Sequence, residues 1–156
     1  MKKILATLAC IAAVNAPAFA QSLDDLKRDG NGGNTDNVLT YGMGYNQNRY
    51  STLKQINKSN VKQLRPAWTF STGLLNGHEG APLVVGDVMY LHTPFPNVVY
   101  ALDLKDPSHQ ILWKYEPKQD PSVVPVMCCD TVNRGVQYAE GKIFLHQADT
   151  SLVALD

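Results

Sequence analysis

Two neighbouring cysteines, Cys128 and Cys129, lie within Val126-Met127-Cys128-Cys129-Asp130-Thr131-Val132-Asn133-Arg134-Gly135 and are the residues whose type and spacing most directly suggest chemistry. The peptide unit holds adjacent Cα atoms about 3.8 Å apart, below the roughly 4.4 to 6.8 Å usual for a disulfide, so joining the two sulfurs closes a strained small ring. Such a ring is a rigid, flat, polarisable surface on which a planar aromatic cofactor could stack. The alternatives are two free thiols, half of a metal site, or a pair bridging to separate partners. A metal site would call for more Cys or His at ligand spacing, and the chain has no CxxC or HxxxH.

The compartment decides how the cysteines are counted. Lys2 and Lys3 precede the apolar run Ile4 to Val14, and Ala18-Phe19-Ala20 ahead of Gln21 has the small-residue pattern of a signal-peptidase site, so residues 1–20 read as a signal peptide. The run is about 11 residues, against the roughly 20 that span a bilayer, which argues against a transmembrane anchor. Cys10 is expected to leave with the leader. Of three cysteines, two then remain in a chain bound for the oxidising periplasm, an even number that favours pairing Cys128 with Cys129. Loss of Lys2 and Lys3 takes the basic count from 14 to about 12 against 14 acidic residues, and no basic patch points to nucleic acid.

The elements that must hold this pair are mostly strands. Residues 21–66 read as an irregular N-terminal segment: a short amphipathic stretch over 23–28, a Gly/Asn-rich turn, and one helical turn capped by Asn57-Lys58-Ser59-Asn60 before Pro66. Beyond Pro66, short runs rich in Val, Tyr, Trp and Thr alternate with Gly, Pro and Asp, predicting antiparallel strands over 67–71, 83–85, 88–93, 98–103, 111–115, 136–138, 142–147 and 152–155. Gly86-Asp87-Val88-Met89-Tyr90-Leu91-His92 with Val99-Tyr100-Ala101-Leu102-Asp103 returns as Gly141-Lys142-Ile143-Phe144-Leu145-His146 with Leu152-Val153-Ala154-Leu155-Asp156. The offset is about 53 to 55 residues, somewhat above the roughly 40 to 50 of familiar propeller repeats. The prediction is an all-β chain whose residues 67–156 form about two blades of a β-propeller, with the second copy stopping before its outer strand.

Gly77-His78-Glu79-Gly80-Ala81-Pro82-Leu83-Val84-Val85, Met89-Tyr90-Leu91-His92-Thr93-Pro94-Phe95-Pro96-Asn97 and the stretch from Cys128 to Gly135 together resemble the opening blades of pyrroloquinoline quinone (PQQ) dependent methanol and alcohol dehydrogenases, most of all the lanthanide-dependent branch. The resemblance implies an eight-bladed propeller with PQQ held against the Cys128–Cys129 ring, and Glu79 and Arg134 at the edge of the cofactor. A guanidinium suits PQQ, which bears three carboxylates, because it binds a carboxylate through paired, charge-assisted donors. Glu79 beside an anionic cofactor needs a cation nearby or a proton of its own. Without the resemblance, Glu79 reads as a cap on backbone amides around Gly80 and Arg134 as half of a surface salt bridge. Neither a catalytic base nor a metal ligand maps onto the chain. The Ca²⁺ or lanthanide ligands are expected beyond Asp156.

The resemblance further implies a short primary alcohol such as methanol as substrate, a periplasmic cytochrome c as electron acceptor, and a homodimer in the full-length protein. His92 and His146 are expected to be equivalent strand-end residues, and Trp68 and Trp113 to pack between blades. A non-catalytic propeller scaffold is the competing reading, but it has no use for a strained sulfur ring. A thioredoxin-like protein would carry CxxC. Expressed alone, the 156-residue chain is expected to be unstable or aggregated and not to oxidise alcohols, because a blade needs neighbours on its faces. PQQ-dependent dye reduction with methanol by the purified chain would contradict this.

Overall fold

The computed structural model describes residues 23–156 apart from Gly32 and Thr35. The expected leader, Cys10 and the expected mature terminus at Gln21 lie outside the described residues. Among the described residues, no helix is long and apolar enough to cross a membrane.

The amphipathic start forms a helix, α1 (Leu23–Gly30), longer than the stretch read from sequence, with Lys27 and Arg28 in its last turn facing the negative end of the helix dipole. The expected helical turn is a 3₁₀ helix at Val61–Gln63; Asn60 precedes it but makes no side-chain cap, its Oδ1 accepting instead from the Asn57 amide. Seven strands then form two antiparallel meanders. The first sheet is β1 (Leu83–Val85), β2 (Val88–His92), β3 (Val99–Asp103) and β4 (Ile111–Tyr115), in that order. The second is β5 (Gln137–Ala139), β6 (Lys142–His146) and β7 (Leu152–Leu155). In the β5–β6 hairpin Ala139 pairs with Lys142, and both loop residues, Glu140 and Gly141, have positive φ, as a two-residue type I′ turn requires.

Strand period explains the packing, since successive side chains point to opposite faces. Leu83 and Val99 from the first sheet meet Ile143 and Leu145 from the second and Val136 just before β5, with Tyr90, Trp113 and Tyr115 at the margin. Each fully buried Val or Leu there contributes about 1.5 to 3 kcal/mol. The opposite face of the first sheet presents Val98, Tyr100 and Leu102 beside Met89 and Leu91 of β2, with Trp68 and Phe70 packed on it. Trp113 thus packs between the sheets, whereas Trp68 lies on the far face, its ring tilted by 36° against that of His109 with centroids 4.3 Å apart.

Residues 67–71 correct the sequence reading. They carry Trp68 and Phe70 at strand spacing but form no strand, because their side chains dock on the first sheet while no neighbouring strand pairs with their backbone among the described residues. A 3₁₀ helix at Pro121–Val126, capped by Asp120 accepting from the Ser122 amide, was not expected. β3 and β5 each begin one residue later than predicted, β5 also ends one residue later, and β2 and β6 each end one residue earlier.

The two sheets are also tied at one end by polar groups. Asn97, 1% exposed and left-handed at φ 66°, accepts from the Ala148 amide at 2.9 Å and from Gln119 Nε2 at 3.0 Å. Gln119 Oε1 in turn accepts from the Asp149 amide. In a full-length protein carrying this segment, Asn97→Ala should cost about 2 to 4 kcal/mol, from buried amides left unpaired and a left-handed backbone that alanine tolerates poorly. Asn97→Gly should cost about 1 kcal/mol less, since glycine removes only the backbone part. Denaturant midpoints of the two variants measure the difference.

Candidate cofactor site

The chain between β4 and β5 leaves the 3₁₀ helix at Val126 and enters the loop 127–135. There Cys128 and Cys129 are joined in a disulfide, with Cα atoms 3.8 Å apart. Cys129 and Asp130 both have φ 65°. Two successive non-glycine residues in the left-handed region carry a conformational cost of roughly 1 to 2 kcal/mol each, so the surroundings must hold them there.

They do so through a set of hydrogen bonds to both sheets. Asp130 Oδ2 accepts from the Gly77 amide at 3.1 Å and its Oδ1 from Asn76 Nδ2 at 3.3 Å. The Thr131 carbonyl accepts from the Phe95 amide at 2.8 Å. His92 Nε2 donates to the Asn133 carbonyl at 3.1 Å, and Asn133 Nδ2 donates to the His146 carbonyl at 2.9 Å. The Asn133 side chain also accepts from the Gly135 amide, which closes the turn that presents Arg134.

A cavity of about 430 Å³ opens beside this loop, lined by Met127, Cys128, Asn133, Arg134 and Gln147 among others. Cys128 and Arg134 therefore share one wall. Glu79 lines a neighbouring cleft with Tyr41 and Arg49, and its carboxylate stands 3.5 Å from Arg134 Nε. The carboxylate thus pairs with Arg134 and does not cap the amides around Gly80 in the way the local sequence suggests. With Arg134 77% and Glu79 47% exposed, the pair contributes about 0 to 1 kcal/mol to stability, and the guanidinium keeps donors for an anion. A sulfur face, a cation with free donors and room beside both are the chemistry a planar polycarboxylate needs, so the residues present fit one face and one edge of PQQ. Among the described residues no group of three His, Cys, Asp or Glu could hold a metal ion.

Two residues at this site were not singled out from sequence. Asp130 has no role assigned from the sequence, and His92 is expected there as a strand-end equivalent of His146. His92 is buried at 7% exposure, whereas His146 is exposed and lines the cavity. Burial holds the His92 imidazole below its ordinary pKa, opposed by the hydrogen bond to Asn133 and reinforced by His78. Neither role shows in periodicity or motif, because both depend on loops far apart in sequence.

Accepting from the Gly77 amide, then from Asn76, keeps the Asp130 carboxyl below the usual carboxylate range. A depressed carboxyl stabilises the fold above its unfolded-state pKa, and that contribution disappears as pH falls through the depressed value. Protection of the Gly77 amide from hydrogen exchange should therefore drop by about tenfold on acidification below the ordinary carboxylate pKa. In Asp130→Ala protection should already be low at neutral pH and show no such titration.

Comparison with known proteins accords with this geometry. The family model for the beta-propeller domain of glucose/ethanol/alcohol dehydrogenases, whose short name is PQQ, matches residues 39–156. The lanthanide-dependent methanol dehydrogenase of Methylorubrum extorquens is 73% identical over 112 residues, 72% of this chain and 18% of the relative. Methanol dehydrogenase (cytochrome c) subunit 1 of Paracoccus denitrificans is 55% identical over 148 residues, covering 90% and 22%. The chain spans about a fifth of the length of these curated relatives. A solved europium-containing methanol dehydrogenase superposes with a TM-score of 0.81 at 49% identity, over 85% of this chain and 23% of the other. A sheet pair that matches the propeller of such enzymes and a family model that spans most of the sequence lead to one conclusion: the chain belongs to the PQQ-dependent alcohol dehydrogenase family of β-propeller quinoproteins.

Proposed function

We propose that this segment forms part of the cofactor site of a periplasmic quinoprotein that oxidises methanol or another short primary alcohol to the aldehyde and passes the electrons to a cytochrome c. The observation that carries the reading is the shared wall of Cys128 and Arg134 on one cavity, with Glu79 against the guanidinium. When bound, PQQ supplies a quinone that accepts hydride from the alcohol carbon, with Ca²⁺ or a lanthanide polarising its carbonyl as a Lewis acid.

The residues here bind and orient. The disulfide ring of Cys128 and Cys129 offers a stacking face without hydrogens and keeps water off that side. Arg134 donates to a carboxylate at the cofactor edge, and its planar fork fixes the in-plane orientation. Glu79 faces Arg134 across 3.5 Å, so the guanidinium offsets the repulsion that a carboxylate would exert on an anionic ligand. Ligands for the metal and the base that takes the alcohol proton are assigned to no residue of this chain. The names of the relatives support the alcohol and the cytochrome, and the leader-like sequence of residues 1–20 supports the compartment.

In a full-length protein carrying this segment, Arg134→Lys should weaken PQQ binding by about ten- to a hundredfold, because a point charge replaces paired donors. Equilibrium binding of PQQ to the metal-loaded apoprotein measures this. Unreduced protein should take up no alkylating agent at Cys128 or Cys129. Two alkylated cysteines together with unchanged PQQ affinity in Arg134→Lys would remove the basis of the reading.

A further inference from the structure

His92 stands at the end of β2, outside the cavity wall, yet it contacts the neighbours of both charged residues of the site. Its Nε2 meets the Asn133 carbonyl at 3.1 Å, one residue before Arg134. A carbonyl can only accept, so Nε2 carries the proton. On the other side the ring lies against Gly80, one residue after Glu79, so closely that a Cβ at position 80 would fall within the imidazole. His92 Nδ1 is buried without a hydrogen-bond partner. A neutral ring leaves there a bare lone pair, whereas an imidazolium would leave an unpaired buried N–H.

We infer that His92 is a positioning residue that sets the spacing of Glu79 and Arg134, acting through Gly80 on one side and Asn133 on the other. Arg134 is largely and Glu79 about half solvent-facing, and their 3.5 Å contact is too weak to fix either loop. The ring is a rigid spacer between two backbones 53 positions apart in sequence, and one side chain thereby carries the geometry of both. Glycine at position 80 is the complement of this arrangement, since any side chain there would push the ring off Asn133. The inference deepens the cofactor-site reading and rests on it for its functional consequence.

The test uses the full-length apoprotein with its metal, read by hydrogen exchange without cofactor and by equilibrium binding of PQQ. His92→Ala should speed exchange in residues 77–81 and in 133–135 together, leave β5–β7 protected, and weaken PQQ binding by about ten- to a hundredfold. His92→Gln, which keeps a donor for Asn133 but not the ring, should restore protection at 133–135 only. Gly80→Ala, whose Cβ would fall within the His92 ring, should speed exchange at 133–135, and this variant also serves if His92→Ala does not fold. Unchanged exchange in Gly80→Ala, or loosening spread evenly over the whole chain in every variant, would overturn the inference. Arg134→Lys separates the two readings. If it weakens PQQ binding while His92→Ala does not, the positioning role alone falls. If neither variant alters PQQ binding, the cofactor reading falls with it.

Discussion

The contact between the two sheets is the constraint from which the site follows. Leu83 and Val99 on one side and Val136, Ile143 and Leu145 on the other are almost wholly removed from water. That packing fixes how far the β2–β3 turn stands from the start of β5. The loop 127–135 spans this gap and is bonded to both sides, to Gly77, Phe95 and His92 on the first sheet's side and to the His146 carbonyl of β6. A shift between the sheets would break some of these bonds while stretching others. The left-handed backbone at Cys129 and Asp130 persists because the bonds on both sides hold it.

The residues around the cavity contribute little to stability. The exposed ion pair of Glu79 and Arg134 adds little to folding, and an open cavity beside a disulfide buries no apolar area. The stabilising contacts lie a layer deeper, in the inter-sheet core and in the Asn97–Gln119–Ala148 network. A planar anionic ligand gains from such a division, since donors already in place lose little freedom on binding. His92 and Asp130 connect the two layers. Each touches the backbone of a loop that displays a charged or sulfur-bearing residue, and neither lies at the centre of the apolar core.

The covered faces of the first sheet also explain why residues 67–71 are not a strand. β3 is buried on both faces, by the second sheet and by Trp68 and Phe70. Alternating large residues carry the same pattern whether a segment pairs through its backbone or merely lays its side chains on a sheet. Backbone pairing needs a free edge at the right height, and that is a property of the neighbours.

From the residues alone, the alternation of Val, Tyr and Leu with Gly-Asp and Glu-Gly turns settled seven strands to within a residue or so, because strand period and turn chemistry are local. The repeat of the first hairpin in the second settled the propeller class, and the adjacent cysteines marked the loop that bears the proposed site. Only the tertiary structure decided that Glu79 meets Arg134, that Asp130 ties the Gly77 loop to the disulfide, and that His92 is buried between Gly80 and Asn133 while its apparent counterpart His146 is not. Those facts depend on loops some 50 residues apart being brought within hydrogen-bond reach, which no local propensity encodes and which follows from how two sheets pack.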